Sequence, residues 1–509
     1  MRKASVKKKN SIAKNLAQWY TETVFFIVPL IMTGNYAHIT ATKSWFYIGI
    51  TAAVIIGLLC VFPDSRQYFK VNLPVVCAIV FIGLSIVSAF CSSYGTGCFT
   101  GSDGRSMGVI FFVAAAITLF VLTNVPVKNR ILIKGSFVVE LIIVVIAILN
   151  FLGIDFLGLV SVVPEYARGK YLSTIGYSNF LSEYISMITV MEIVFLTQTD
   201  EKKKSNTRTA AALRKYGMLS VLFLSYIGLL IADSSCGFLG VLFALSLFPF
   251  FFREKGWLLR SLRVVIPLPF SCVIGKLLYR DTVLDDTYVA IDTVVQFLLR
   301  WPVIISLFVI VAAILLLQQL TKKKKIKSPA TFQIKWVRWY GILYIILLGL
   351  VTLAAILSNT GVMNTPLTIT ESFASNRGYI WKQAIRLYFD FPLKNKCFGI
   401  GPDELLPFLK ATLGEEAMFQ VTGQVFDSVH NFILHYLLTV GAFAVMALLT
   451  GIVIGIRKFL LEKKENSYIF LFPFLCYLLQ ALIIPSTPIV FPIALACFAI
   501  SYQRCTAKD

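Results

Sequence analysis

The chain is poor in acid and poorer in histidine. Among its 509 residues, 26 are Asp or Glu against 47 Lys or Arg, and three are histidine: His38, His430 and His435. No C-x-x-C pair occurs, so the ten cysteines do not form a zinc framework. No D-x-D element offers a divalent-metal site. No G-x-x-x-x-G-K loop offers a nucleotide site, and neither cofactor nor ATP is expected. Long polar stretches are also missing, which excludes a soluble domain of any size.

What fills the chain is apolar. Hydrophobic residues make up 57% and mean hydropathy is +0.79. A water-soluble surface cannot carry that composition, whereas lipid accepts it. The apolar runs are long enough for helices of about twenty residues, the length that spans a bilayer. They predict an all-α, polytopic transmembrane bundle of about fourteen spans, from 20–38 near the N-terminus to 467–485 and 488–503 near the C-terminus. The basic start, MRKASVKKKN, leads into the first apolar run with no small-residue cleavage site, so it reads as a retained first helix.

Charge orders the spans. With the N-terminus inside, the inner segments carry 34 of the 47 cations. That bias predicts a multi-pass cell-membrane protein with both termini cytoplasmic. The net charge of +21 then reflects topology, and nucleic acid is not an expected partner. The runs at 202–204 and 322–325 read as cytoplasmic anchors. Cys91 and Cys98 flank a short outer loop, where a disulfide and two free thiols both fit. Two outer segments are long, about 153–175 and 358–430. The second lies between spans 11 and 12, and its aromatic residues and the amphipathic spacing of 376–389 predict a folded segment. Three regions follow: transmembrane helices over 1–357, the outer segment 358–430 carrying the chemistry, and transmembrane helices over 431–509.

Few residues there can do chemistry. His430 sits where the outer segment meets the next span, reachable from water and next to lipid. Asp427 lies three residues before it, suited to orient or charge the imidazole. His435 lies about 140° further round a helix, so the two histidines do not make a metal face. Arg377 brings a guanidinium fork, which binds phosphate oxygens in pairs. Lys382 and Arg386 follow it on other faces of the predicted helix.

The order S-N-R-G-Y-I-W, F-P-L, G-I-G-P and H-N-F-I-L-H-Y-L-L-T-V-G resembles the C-terminal signature of the O-antigen ligase and O-antigen polymerase family. Arg377, Pro392, Gly399, Gly401, His430, Asn431 and Gly441 occupy the matching positions. TIGYSNFLSEY resembles an earlier element through Gly176, Asn179 and Tyr184, and GSDGRSMGVIFF resembles a further one. One departure stands out. Many members carry Ser-Arg-Gly at the outer start of a middle span, where this chain has Ser235-Cys236-Gly237. Arg105, Arg168 and Lys170 are the candidates to supply the missing cation.

The resemblance implies a membrane glycosyltransferase in surface polysaccharide biosynthesis, acting on the outer face. Its donor would be a polyprenyl-diphosphate-linked glycan. Its acceptor would be another glycan or a wall polymer, and membrane lipids would surround it. It implies Arg377 as stabiliser of the leaving diphosphate, His430 as base and Asp427 as its partner. Lys382, Asn431 and Asn179 join the substrate-binding set. The competing reading is a transporter or flippase of lipid-linked oligosaccharides, for which internal repeats and charge deep in the spans are the expected signs.

Overall fold

A computed structural model describes residues 2–65, 68–101, 105–198, 208–252, 257–282, 291–322, 332–360, 368–423 and 425–507. The runs at 202–204 and 323–325 lie outside them. The architecture is helical, with one two-residue strand pair, Tyr171–Leu172 antiparallel to Gly176–Tyr177. Among the described residues, eight helices are long and apolar enough to cross a membrane, and three shorter apolar helices lie at Val109–Asn124, Tyr216–Ile231 and Ser235–Phe251. The other expected spans fall on short or interrupted helices. The first helix, Arg2–Phe26, ends in a turn that crosses the expected 20–38 span. Glu465–Gln480 and Phe491–Thr506 have sixteen residues each. At 1.5 Å per residue, such helices fall short of a hydrocarbon core of about 30 Å.

Two kinds of helix surface are present. Ser178–Gln198 is 89% buried across its apolar window, and it packs against Glu465–Gln480 and Ser235–Ser246. Trp339–Asn359 is only 6% buried, with Trp339, Ile345 and Leu348 exposed. An all-apolar helix without protein cover belongs in lipid. The protein is therefore a multi-pass helical membrane protein.

The two ends of the bundle differ. One end gathers polar and basic contacts between distant helices: Gln18 with the Lys128 carbonyl, Gln198 with Glu465, Arg260 with Thr197, and Arg504 with Asn466. The other end carries the long segment, which is folded. Its helices Phe373–Asp390, Leu393–Phe398, Leu405–Leu413 and Glu415–Thr422 enclose a separate apolar cluster that includes Ile380, Leu405, Leu409, Met418, Phe426 and Val429.

The expected span 431–456 is broken. Phe432–Thr439 ends, Gly441 adopts φ 87°, and Ala442–Glu462 begins. The break frees two carbonyls. Leu438 O accepts from Ile400 N at 3.0 Å and Thr439 O from Gly401 N at 2.9 Å. The G-I-G-P loop therefore occupies the gap, which satisfies groups that would otherwise be orphaned. A Cβ on Gly441 would meet the Cys397 carbonyl oxygen at 2.2 Å, so only glycine fits. Cys91 and Cys98 are free thiols.

Candidate functional site

Arg377 is held by an irregular start to its helix. Ala374, Ser375 and Asn376 are left-handed, and regular helix begins at Arg377. Asn376 donates to Thr422 O at 2.8 Å, anchoring the turn. Gly378 is required by close approach: a Cβ there would meet Thr370 O at 1.8 Å. The helix is then clamped to the segment before His430. Trp381 donates through Nε1 to Val429 O at 2.9 Å, and Tyr379 stacks on Phe426, centroids 6.2 Å apart. Phe426 in turn meets His430 edge-on at 6.2 Å.

His430 has φ +53°, a costly conformation for a side chain of its size. The next residue explains how it is held. Asn431 caps the Phe432–Thr439 helix, its Oδ1 accepting from Ile433 N and Leu434 N at 3.0 Å each. Its Nδ2 donates to Leu482 O at 3.1 Å, and Phe432 N donates to Ala481 O at 3.0 Å. Asn431 is thus consumed in positioning the imidazole.

Arg105 arrives from a loop nearly three hundred residues earlier. It is 5% exposed, donates to Asp427 Oδ1 at 2.8 Å and to Ser486 O at 3.2 Å. The loop is fixed by Met107 N donating to Asp403 at 3.1 Å and Ser44 donating to Ser106 O at 2.5 Å. Two buried guanidiniums therefore bear on one imidazole. Burial, then Arg377, then Arg105 push His430 from 6.5 down to about 3, while Asp427 works the other way. Asp427 itself lies below the usual carboxylate range. Desolvation opposes its ionisation, but the contact with Arg105 and the nearby His430 outweigh it.

Three polar atoms here are buried without a protein partner among the described residues: Arg377 Nε, Arg105 Nε and His430 Nδ1. His435 Nδ1 and both Glu183 oxygens share that state. Unpaired buried polar groups cost on the order of 1–3 kcal/mol each, so such a cluster fits a space shaped for a ligand. Arg105, His435, Asp403, Tyr436 and Ser486 line a small, narrow cavity. Tyr436 and Ser486 also border an apolar groove walled by Cys77, Phe81, Leu448 and Phe491. A polar centre and an apolar groove thus share a wall.

The other expected residues fall elsewhere. Lys382 is exposed, and Arg386 is 75% exposed beside Asp390. Asn179 accepts from Ser234 at 2.8 Å and steadies the turn before Cys236. Cys236 is buried within electrostatic range of Arg377. Lys170 pairs with Asp233 at 2.9 Å, and Arg168 donates to Val163 O at 3.3 Å; both line a different cavity. Asp427 bonds Arg105 rather than His430, because a guanidinium offers the stronger charge-assisted bond. Glu183, deep in its helix and in range of Arg105, was not singled out as a site residue. A buried acid in an apolar span was the available signal.

The fold and this centre define a helical membrane protein with a buried arginine–histidine site at one end of its bundle. Residues 300–449 match the family model described as O-antigen ligase. The match takes in Arg377, the helix break and His430. It begins at residue 300, beyond both Arg105 and Cys236. No curated protein matches the chain.

Proposed function

We propose that this protein is a glycosyltransferase that transfers or polymerises glycan from a polyprenyl-diphosphate-linked donor on the outer face of the cytoplasmic membrane. The observation that carries this reading is the pair of buried guanidiniums flanking His430 beside an apolar groove. On this reading Arg377 and Arg105 take the diphosphate and the apolar groove takes the prenyl tail. Arg105 thereby supplies the cation that Cys236 does not. The O-antigen ligase match supports a role in surface polysaccharide biosynthesis.

In the reaction, the bond between the donor sugar's anomeric carbon and the diphosphate oxygen breaks. Its electron pair leaves with the diphosphate, where Arg377 and Arg105 stabilise the growing charge. An acceptor hydroxyl attacks the anomeric carbon and gives its proton to His430. In the empty protein His430 is a weak base, because both cations bear on it. A bound diphosphate neutralises those cations, so its arrival strengthens the base. Asp427 positions Arg105, and Asn431 positions the imidazole.

The test uses membranes or nanodiscs with the producing cell's own lipid-linked repeat unit. Arg377→Ala and His430→Ala are each expected to lower transfer by roughly 100-fold or more, the usual loss when one such group is removed. Arg377→Lys should remain impaired, since an ammonium cannot replace the fork. Normal product at normal protein level from either alanine variant sinks the assignment. A flippase would instead show normal transfer to pre-flipped donor in a variant that blocks delivery.

A further inference from the structure

A second, open cavity lies at the site end of the bundle. Its wall comes from the 153–170 segment, the strand at Tyr171–Leu172 and the turn at Asp233. It differs in chemistry from the apolar groove and from the arginine–histidine centre. Three carboxylates line it, Asp155, Glu165 and Asp233, with two cations, Arg168 and Lys170. Asp233 neutralises Lys170 at 2.9 Å. An anionic phosphate would therefore meet a wall with more acid than base, and a lipid tail would strand five charged groups.

One surface of the cavity is aromatic. Tyr171 lines it and belongs to a row in which Tyr36, Tyr171, Tyr177 and Phe180 follow one another at centroid spacings of 5.3, 5.6 and 5.7 Å. The scaffold beneath is fixed. Tyr36 donates to Ser173 O at 2.7 Å, and Asp155 accepts from Leu159 N and Val160 N at 3.0 and 2.9 Å. Glu165 and Arg168 both line the space, and Arg168 is steadied by its Nε contact to Val163 O. Such a wall suits a ligand with hydroxyls that both donate and accept, together with C–H faces that lie on a ring.

The cavity also adjoins the reaction centre. Asp233 Oδ1 accepts from Asp292 N at 2.8 Å, Ser235 donates to Asp292, and Ser234 donates to Asn179. The next residue, Cys236, lies within electrostatic range of Arg377. The turn 233–236 thus separates the two spaces.

We infer that this cavity is a glycan-binding subsite, which takes the oligosaccharide beyond the reacting sugar and holds it on Tyr171, Glu165 and Arg168. The inference rests on the glycosyltransferase reading. It moves Arg168 and Lys170 from the phosphate site to the sugar site.

The experiment titrates short soluble oligosaccharides, cleaved from the producing cell's own surface polymer, into the full-length protein in nanodiscs by calorimetry. Wild type and Arg377→Ala should bind alike. The double variant Glu165→Gln, Arg168→Ala should bind at least roughly tenfold more weakly, the loss of one or two charge-assisted hydrogen bonds. Both side chains are exposed, and an unchanged unfolding temperature checks the fold. No binding by wild type, or equal binding by the double variant, overturns the subsite. If transfer still requires Arg377 in that case, the functional reading stands without it. If the oligosaccharide binds as expected while the wild-type protein forms no transfer product from the lipid-linked donor, the subsite stands and the glycosyltransferase reading fails.

Discussion

His430 combines three unusual properties in one residue: a left-handed backbone, an unpartnered Nδ1, and a proton affinity far below that of free imidazole. The last has a consequence for stability. The folded imidazole titrates at about 3, whereas the unfolded one titrates near 6.5. Between those values the unfolded chain binds the proton and the folded one does not. Stability contributed by neutral His430 is therefore full above pH 6.5 and is lost as pH falls toward 3. Thermal unfolding of the empty protein in nanodiscs should shift down across that window. His430→Gln should flatten the dependence, and an identical profile in that variant would remove His430 as its source. Asp427, held below the usual carboxylate range, adds a loss of stability at the acid end of the curve.

At the level of elements, the broken helix decides where the candidate site sits. A continuous 431–456 helix would satisfy Leu438 O and Thr439 O internally and exclude the G-I-G-P loop. The break at Gly441 hands those carbonyls to Ile400 and Gly401, while Ser88 donates to Thr439 O at 3.0 Å. Gly441→Ala places a Cβ against the Cys397 carbonyl at a left-handed φ. It should cost on the order of 1–3 kcal/mol and lower the unfolding temperature. Transfer should fall with it, since the long segment carries Arg377. Wild-type stability in that variant would show that the loop and helix part without cost. Gly378 plays the matching role at the other end of the segment, where the Thr370 carbonyl fills the space of a side chain.

For the whole molecule, the asymmetry of the two ends makes a statement about the membrane. The site end carries the folded segment, and the opposite end gathers Arg260, Lys464 and Arg504 with the helix termini around them. Cationic ends stay cytoplasmic, which supports the proposal that the site faces outward. A cysteine introduced at Lys410, in a background without native cysteines, should react with a membrane-impermeant maleimide in intact cells. One at Lys464 should react only after permeabilisation. The reverse pattern would place Arg377 and His430 inside and end the outer-face proposal.

Sequence alone determined the class of this protein, because mean hydropathy and span-length apolar runs leave no other solvent for it. It also made the O-antigen ligase resemblance legible, since Arg377, the glycine turns and His430 lie close together in the chain. Helical periodicity could not reveal the break at Gly441, because the apolar run continues across it and the partner carbonyls are claimed from forty residues away. Nor could it choose among Arg105, Arg168 and Lys170. That choice depends on which distant loop the packing brings beside Asp427, and on Asp233 having already paired with Lys170. Local pattern reports solvent and period; the company a charge keeps is decided only when helices remote in sequence pack together.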